Sequence, residues 1–286
     1  MIKISLHKQQ GLTLVELMIS MTLSLVVVFA VGSILISSNQ AASVSDTLAD
    51  SQESGRFAVD YINRQLLKTG YDPEDTDLVA FGGLCVDAAD TVCIRDNDSG
   101  TGDRIAVRRV AEVEEDPDDP NDPPQLIPKS NAVTCYGSAL LDAAGNDITT
   151  NVTVTDVYWV EVDDDGLSNL RCQSFDEDGT VRANPGDNFG NSQALAAGVL
   201  TMHVLYGQSN VAPTNNTLNV SAYYNANQVT DWSNVYAIRI GFLTQALSNT
   251  EAQAWEQEYI VMDSLTYEFN DQTARQVFTT TVTLLN

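Results

Sequence analysis

The sequence predicts an α+β chain in which one long N-terminal helix precedes a β-rich globular domain. Three observations carry that expectation. An apolar run opens the chain, a helix-period pattern continues it to about Thr69, and period-two segments rich in β-branched residues follow Pro73. Of 286 residues, 43% are hydrophobic, enough to bury a core despite 39 acidic against 14 basic residues and a net charge of −25. That charge argues against nucleic acid, because phosphate binding needs clustered Lys or Arg and no run supplies it. Only His7 and His203 are histidines, which leaves little room for a His-rich metal site or a His-based triad.

The helix begins in the apolar run. From Leu12 to Ile36 the chain is apolar apart from small hydroxyl residues, Gly32 and Glu16. At about 1.5 Å per residue such a helix covers a ~30 Å hydrocarbon core, so residues 12–36 are predicted to span a membrane. Cleavage by a signal peptidase near Ala41-Ala42 is the competing reading. The run is too long for it, since a signal h-region is roughly 7–15 residues. Lys3 and Lys8 precede the span, and Asp46, Asp50 and Glu53 follow it. The positive-inside rule therefore places the N-terminus in the cytoplasm and the rest on the exported side.

Residues 37–70 continue as an amphipathic helix: Ala58, Ile62 and Leu66 recur every four residues, as do Phe57 and Tyr61. Gly70 and Pro73 mark its end near Thr69. Gly55 reads as a soft spot inside it. Residues 71–286 form the β-rich domain. Its strand candidates are Arg104 to Val110, Val152 to Val162, Val199 to Tyr206, Val235 to Leu243, Tyr259 to Met262 and Val277 to Leu284. Glu112 to Pro124, with seven acidic residues, four prolines and no base, is expected to be a solvated acidic loop (112–124).

Glu16 is the anomaly of the span, because a carboxylate in a membrane helix costs about 2.5–3.5 kcal/mol and is usually paired. Its surroundings, Gly11-Leu12-Thr13-Leu14-Val15-Glu16-Leu17-Met18, resemble the type IV prepilin motif of a class III prepilin-like N-terminus. In that motif a basic leader ends in Gly, an apolar helix begins, and Glu is the fifth residue after the cut. Leu12 stands where the family usually has Phe. Arg275-Gln276-Val277-Phe278-Thr279-Thr280-Thr281-Val282-Thr283-Leu284-Leu285-Asn286 is similar to the terminal segment of PilW-type minor pilins. Trp232 to Ile240 and Gly198 to Gly207 are similar to internal segments of that family. The likeness covers both ends and the second half of the globular region, and leaves Pro73 to about Asn151 unmatched.

The resemblance implies a leader, residues 1–11, cleaved between Gly11 and Leu12, N-methylation of the new terminus, and a helix packed on an antiparallel sheet. It also implies an assembly role for Glu16, which would pair with the N-terminal amine of a neighbouring subunit. The implied partners are prepilin peptidase, other minor pilins, the major pilin, the inner-membrane assembly platform and a tip adhesin. The implied location is the inner membrane as a single-pass protein, then the pilus. A J-type minor pseudopilin of type II secretion shares the same plan. An anchored adhesin or calcium-binding module is the alternative from another class.

Cys85, Cys93, Cys135 and Cys172 are expected to form two disulfides in an oxidising compartment. The favoured pairing is Cys85 with Cys93, because a short loop joins them, leaving Cys135 with Cys172. No CxxC or nearby His supports zinc instead. Asp163-Asp164-Asp165-Gly166, Asp176-Glu177-Asp178-Gly179 and Asp96-Asn97-Asp98-Ser99-Gly100 carry oxygen ligands, so calcium is the one ion open to the chain. None has EF-hand spacing, and Asp with Gly also makes turns. No metal site, cofactor or catalytic group is expected: His203 reads as a sheet residue, and nucleophile motifs are lacking.

Overall fold

The computed structural model describes residues 13–72, 78, 80–82, 93–97, 99–119, 125–142, 145–175, 192–210, 220–250 and 253–284. Helix α1 runs unbroken over Leu14–Leu66. Its apolar first half is exposed, with Leu14 at 77% and Phe29 at 78%. The hydroxyls of Ser20, Thr22, Ser24 and Ser33 each donate to the carbonyl three residues back, at 2.8–3.0 Å. Those bonds satisfy these four hydroxyls within the helix itself, as an apolar medium demands.

The helix stops at Leu66, earlier than the expected Thr69. Lys68 N–H bonds to Gln65 O and Thr69 N–H to Leu66 O, so the last turn tightens into i to i−3 bonds. Gly70 then takes φ 75° and donates to Arg108 O at 2.8 Å, handing the chain to the sheet.

Twelve strands follow among the described residues. They are β1 (Ile105–Ala111), β2 (Val113–Glu115), β3 (Leu126–Pro128), β4 (Val152–Val162), β5 (Ser168–Phe175) and β6 (Gln193–Ala197), then β7 (Val199–Gln208), β8 (Ala222–Tyr224), β9 (Val235–Gln245), β10 (Trp255–Tyr259), β11 (Tyr267–Asp271) and β12 (Arg275–Thr283). Two four-stranded antiparallel sheets, β1-β4-β5-β6 and β12-β9-β7-β8, carry the fold, with hairpins β2-β3 and β10-β11 beside them. Gly198, at φ 77°, is the kink by which β6 of one sheet becomes β7 of the other. The α+β class is as the sequence predicts.

Three local expectations are corrected. The segment Tyr259 to Met262 is not a strand: pairing ends at Tyr259, and Met262 turns the chain at φ 57°. The acidic stretch 112–124 is not wholly a loop, since Val113–Glu115 pairs with β3, and Glu112 is buried beside Lys129 at 2.8 Å. The base that balances Glu112 lies outside the acidic run. Gly55 is no soft spot either. A Cβ there would lie 2.1 Å from the Phe278 ring, so the glycine permits a close helix-to-sheet approach.

That approach belongs to a stripe. Thr47, Ser51, Gly55, Ala58, Ile62 and Leu66 are the buried residues of α1, spaced by three or four. They lie on β9 and β12, where Ser51 Oγ meets Thr244 Oγ1 at 2.9 Å and Thr280 Oγ1 donates to Asn63 Oδ1 at 3.0 Å. On the opposite sheet face, Val261 and Met262 close over Gly241.

Candidate functional site

The head of α1 carries the residue singled out by chemistry. Thr13 is the N-cap, extended at φ −69° and ψ 150°. Glu16 N–H donates to Thr13 Oγ1 at 3.3 Å, while Glu16 Oε2 accepts from Thr13 N at 3.2 Å and from Thr13 Oγ1 at 3.1 Å. This is a capping box, with an acid at the positive end of the helix dipole. The Thr-x-x-Glu spacing is a sequence signal for it that the membrane-helix reading passes over. Glu16 is thus held at the head of an exposed apolar helix, with its carboxylate occupied by its own chain. Gly11 and Leu12 lie outside the described residues.

In the domain, Cys135 and Cys172 are joined across 37 residues, with Cα atoms 6.2 Å apart. Cys93 is disulfide-bonded and no described cysteine is free, while Cys85 lies outside the described residues. Beside the Cys135–Cys172 bond a polar network is buried. Cys135 N–H donates to Ser174 Oγ at 2.7 Å, Ser174 Oγ to Asp156 Oδ1 at 2.5 Å, and Arg109 Nε to Asp156 Oδ2 at 2.7 Å. The guanidinium also donates to the carbonyls of Asn131 and Val133. Burial disfavours the Arg109 charge, but Asp156 beside it outweighs that, and the pKa is raised above its ordinary value. Tyr61 of α1 donates to Cys135 O, which ties the helix to this network.

His203 is buried, as a sheet residue in β7. Its Nε2 lies 2.8 Å from Tyr267 Oη and 3.2 Å from Thr201 Oγ1, and its Nδ1 is 3.8 Å from Asp103 Oδ1. Asp103 accepts from Asn97 N at 2.8 Å and Val204 N at 2.7 Å. Burial nevertheless raises its pKa to about 7, with Asp96 and Asp263 acting in the same direction. Thr201 and His203 are closed off at 0% and 1% exposure, and their bonds to Tyr267 hold the β10-β11 hairpin to the sheet.

The Asp-rich segments are used locally. Asp163 to Gly166 is a turn, closed by Gly166 N to Asp163 O at 2.9 Å, and the Asp163 carboxylate binds Arg171 and Asn169. Asp96 accepts from Asn227, and Asn97 from Ser99. Asp98 and Asp176 to Gly179 lie outside the described residues. Among the described residues no three His, Cys, Asp or Glu side chains converge as metal ligands.

Residues 157–286 match the family described as Type IV Pilus-assembly protein W, and residues 6–32 match the prokaryotic N-terminal methylation motif. The first match takes in β5 to β12 and the second half of β4. No curated protein and no solved structure gives a match. The methylation motif coincides with the head of the apolar helix and with Glu16, which marks the chain as membrane-anchored. The chain thus carries, in residues 157–286, a stretch similar to the PilW family behind an N-terminus that matches the prepilin methylation motif.

Proposed function

We propose that the chain is a minor pilin that takes part in priming or tip-complex assembly of a type IV pilus after prepilin peptidase cuts between Gly11 and Leu12. The observation that carries this is Glu16 in the first turn of an exposed apolar helix, within the matched methylation motif. Before assembly the N-terminus is cytoplasmic, α1 spans the inner membrane and residues 71–286 are periplasmic. The partners are prepilin peptidase, the inner-membrane platform, other minor pilins, the major pilin and a tip adhesin. No cofactor takes part. Cys85 pairs with Cys93.

Cleavage leaves an amine on Leu12, one residue before the N-cap. In the fibre the Glu16 carboxylate exchanges Thr13 for the amine of a neighbouring subunit, so each apolar bundle contact pairs two costly charges. Removing one partner of a buried pair typically costs about 3–5 kcal/mol. Glu16→Ala and Glu16→Gln are therefore expected to insert and to be cleaved, but to be depleted from sheared fibres relative to the membrane pool. Equal incorporation of both variants and wild type would sink the assembly role of Glu16. Intact mass of the extracted protein checks the cut: a start at Leu12 is expected, abolished by Gly11→Val, whereas a start at Ser43 favours a plain secreted or anchored protein.

A further inference from the structure

The two main sheets leave their edges in different states. The open side of β1 is occupied by chain that precedes it: Gly70 N donates to Arg108 O, Arg108 N to Ala80 O and Gly82 N to Ala106 O, all within 2.8–3.0 Å. β7 is flanked by residues 101–103, through Asp103 N to Met202 O at 2.7 Å and Met202 N to Thr101 O at 3.2 Å, and further along by β8. β6 and β8 are short outer strands of five and three residues. β12 is outermost in its sheet and nine residues long.

Bond parity shows which of its groups face outward. Ala246 N donates to Ala274 O and Leu284 N to Tyr236 O, so the even-numbered residues of β12 bond to β9. The odd-numbered residues then aim N–H and C=O away from the sheet. Tyr259 Oη reaches the carbonyl of Arg275 at 3.2 Å. Beyond it, Val277, Thr279, Thr281 and Thr283 make no main-chain bond on the open side among the described residues. Thr279, Thr281 and Thr283 are exposed. The run Phe278 to Thr283 holds no charge and no proline, and its register with β9 is unbroken. Charge, proline and bulges are the means by which edge strands are kept from pairing, and the run itself has none of them; the charge beside it is the Arg239 guanidinium of β9, which donates to Thr281 Oγ1 at 3.3 Å.

We propose that the open edge of β12 is an assembly surface that accepts an extended strand from a neighbouring, different pilus subunit. The identity of the neighbour rests on the minor-pilin reading. Main-chain hydrogen bonds supply the affinity, and the small faces of Thr279, Thr281 and Thr283 admit a close partner. A second copy of this chain does not fit. Two copies bring together two net charges of −25. Direction excludes an antiparallel pair of copies as well: Ser51 lies by Thr244 and Gln276, and Asn63 by Thr280, so β12 runs along α1 in the same sense. Antiparallel pairing of two β12 strands would turn the second α1 end for end, against a shared membrane anchor.

The test uses the full-length protein in its own membrane and fibres. Thr279→Pro deletes one outward N–H and leaves the β9 ladder intact, a position where a sheet tolerates proline. Membrane abundance and protease resistance of the domain are expected to stay at wild-type level, while incorporation into sheared fibres falls at least about tenfold. Unchanged incorporation overturns the proposal. A photo-reactive residue at position 281 gives a second reading that needs no proline. An adduct to a different pilus subunit is expected from 281 and not from the exposed position 258 on β10; no adduct, or one of twice the chain's own mass, overturns the proposal. Absence of the wild type from fibres would remove the minor-pilin reading, and the membrane-pool adduct would still decide the edge.

Discussion

The β1-β4-β5-β6 sheet and the β12-β9-β7-β8 sheet are held by different physics. The first is stapled by charge and covalency: Arg109 and Asp156 pair at 3% and 2% side-chain exposure, next to the Cys135–Cys172 bond. The second is held by close packing, with a helix stripe of small residues seated on β9 and β12. The difference teaches where each half is brittle. An ion-pair network fails when one member is removed, whereas a small-residue seat fails when something is added.

The largest expected effect lies in the first sheet. Asp156→Ala leaves Arg109 charged and buried and strips the acceptor from Ser174, so unfolding stability should drop by about 3–5 kcal/mol. Denaturant unfolding of the detergent-solubilised chain measures it. A loss below about 1 kcal/mol would show that the network is not what holds this sheet.

In the second sheet the sign is the test. An ordinary helix interior gains about 1 kcal/mol from Gly→Ala. At Gly55 the new Cβ would enter the Phe278 ring, so Gly55→Ala should instead destabilise by about 1–3 kcal/mol. Adding Phe278→Leu should recover part of that loss, a coupling that distant sites lack. Stabilisation by Gly55→Ala would mean that the seat is loose and that the contrast between the sheets fails.

The contrast also explains what could be read from sequence. Val152–Val162 alternates Val, Thr and Tyr and is found as β4 with the same bounds, and β7, β9 and β12 are found within two residues at each end. β5 is hidden because, although Leu170 and Cys172 alternate with Asn169, Arg171 and Gln173, it holds none of the β-branched residues that mark β4, β7, β9 and β12, and Asp163 compensates Asn169 and Arg171 only in three dimensions. β10 and β11 carry Glu256, Glu258, Glu268 and Asp271, and owe their place to pairing with each other. Gly55 is ambiguous in one dimension, since entropy and close approach leave the same letter. The Thr13–Glu16 box was legible by spacing, whereas nothing local announces that Asp103 meets β7 across 101 residues.

Asp103 supplies the effect that only a pH series reveals, at the seam between the two sheets. Residues 101–103 bond to β7 and lead directly into β1, so the carboxyl sits where the sheets meet. Its pKa is raised from an ordinary 3.8 to about 7, by burial first and by Asp96 and Asp263 in addition, against the N–H groups of Asn97 and Val204. Below the lower value the folded and unfolded chains both hold the proton. As pH rises from 3.8 toward 7, the unfolded chain gives it up while the folded chain keeps it, so stability falls across that window and levels off above it. Asp103→Asn keeps an acceptor for Val204 N and removes the titration. Unfolding free energy measured at steps through the window should therefore slope downward for the wild type and run flatter for the variant. Parallel curves would show that the seam is held by the geometry of residues 101–103 alone, with the charge of Asp103 playing no part.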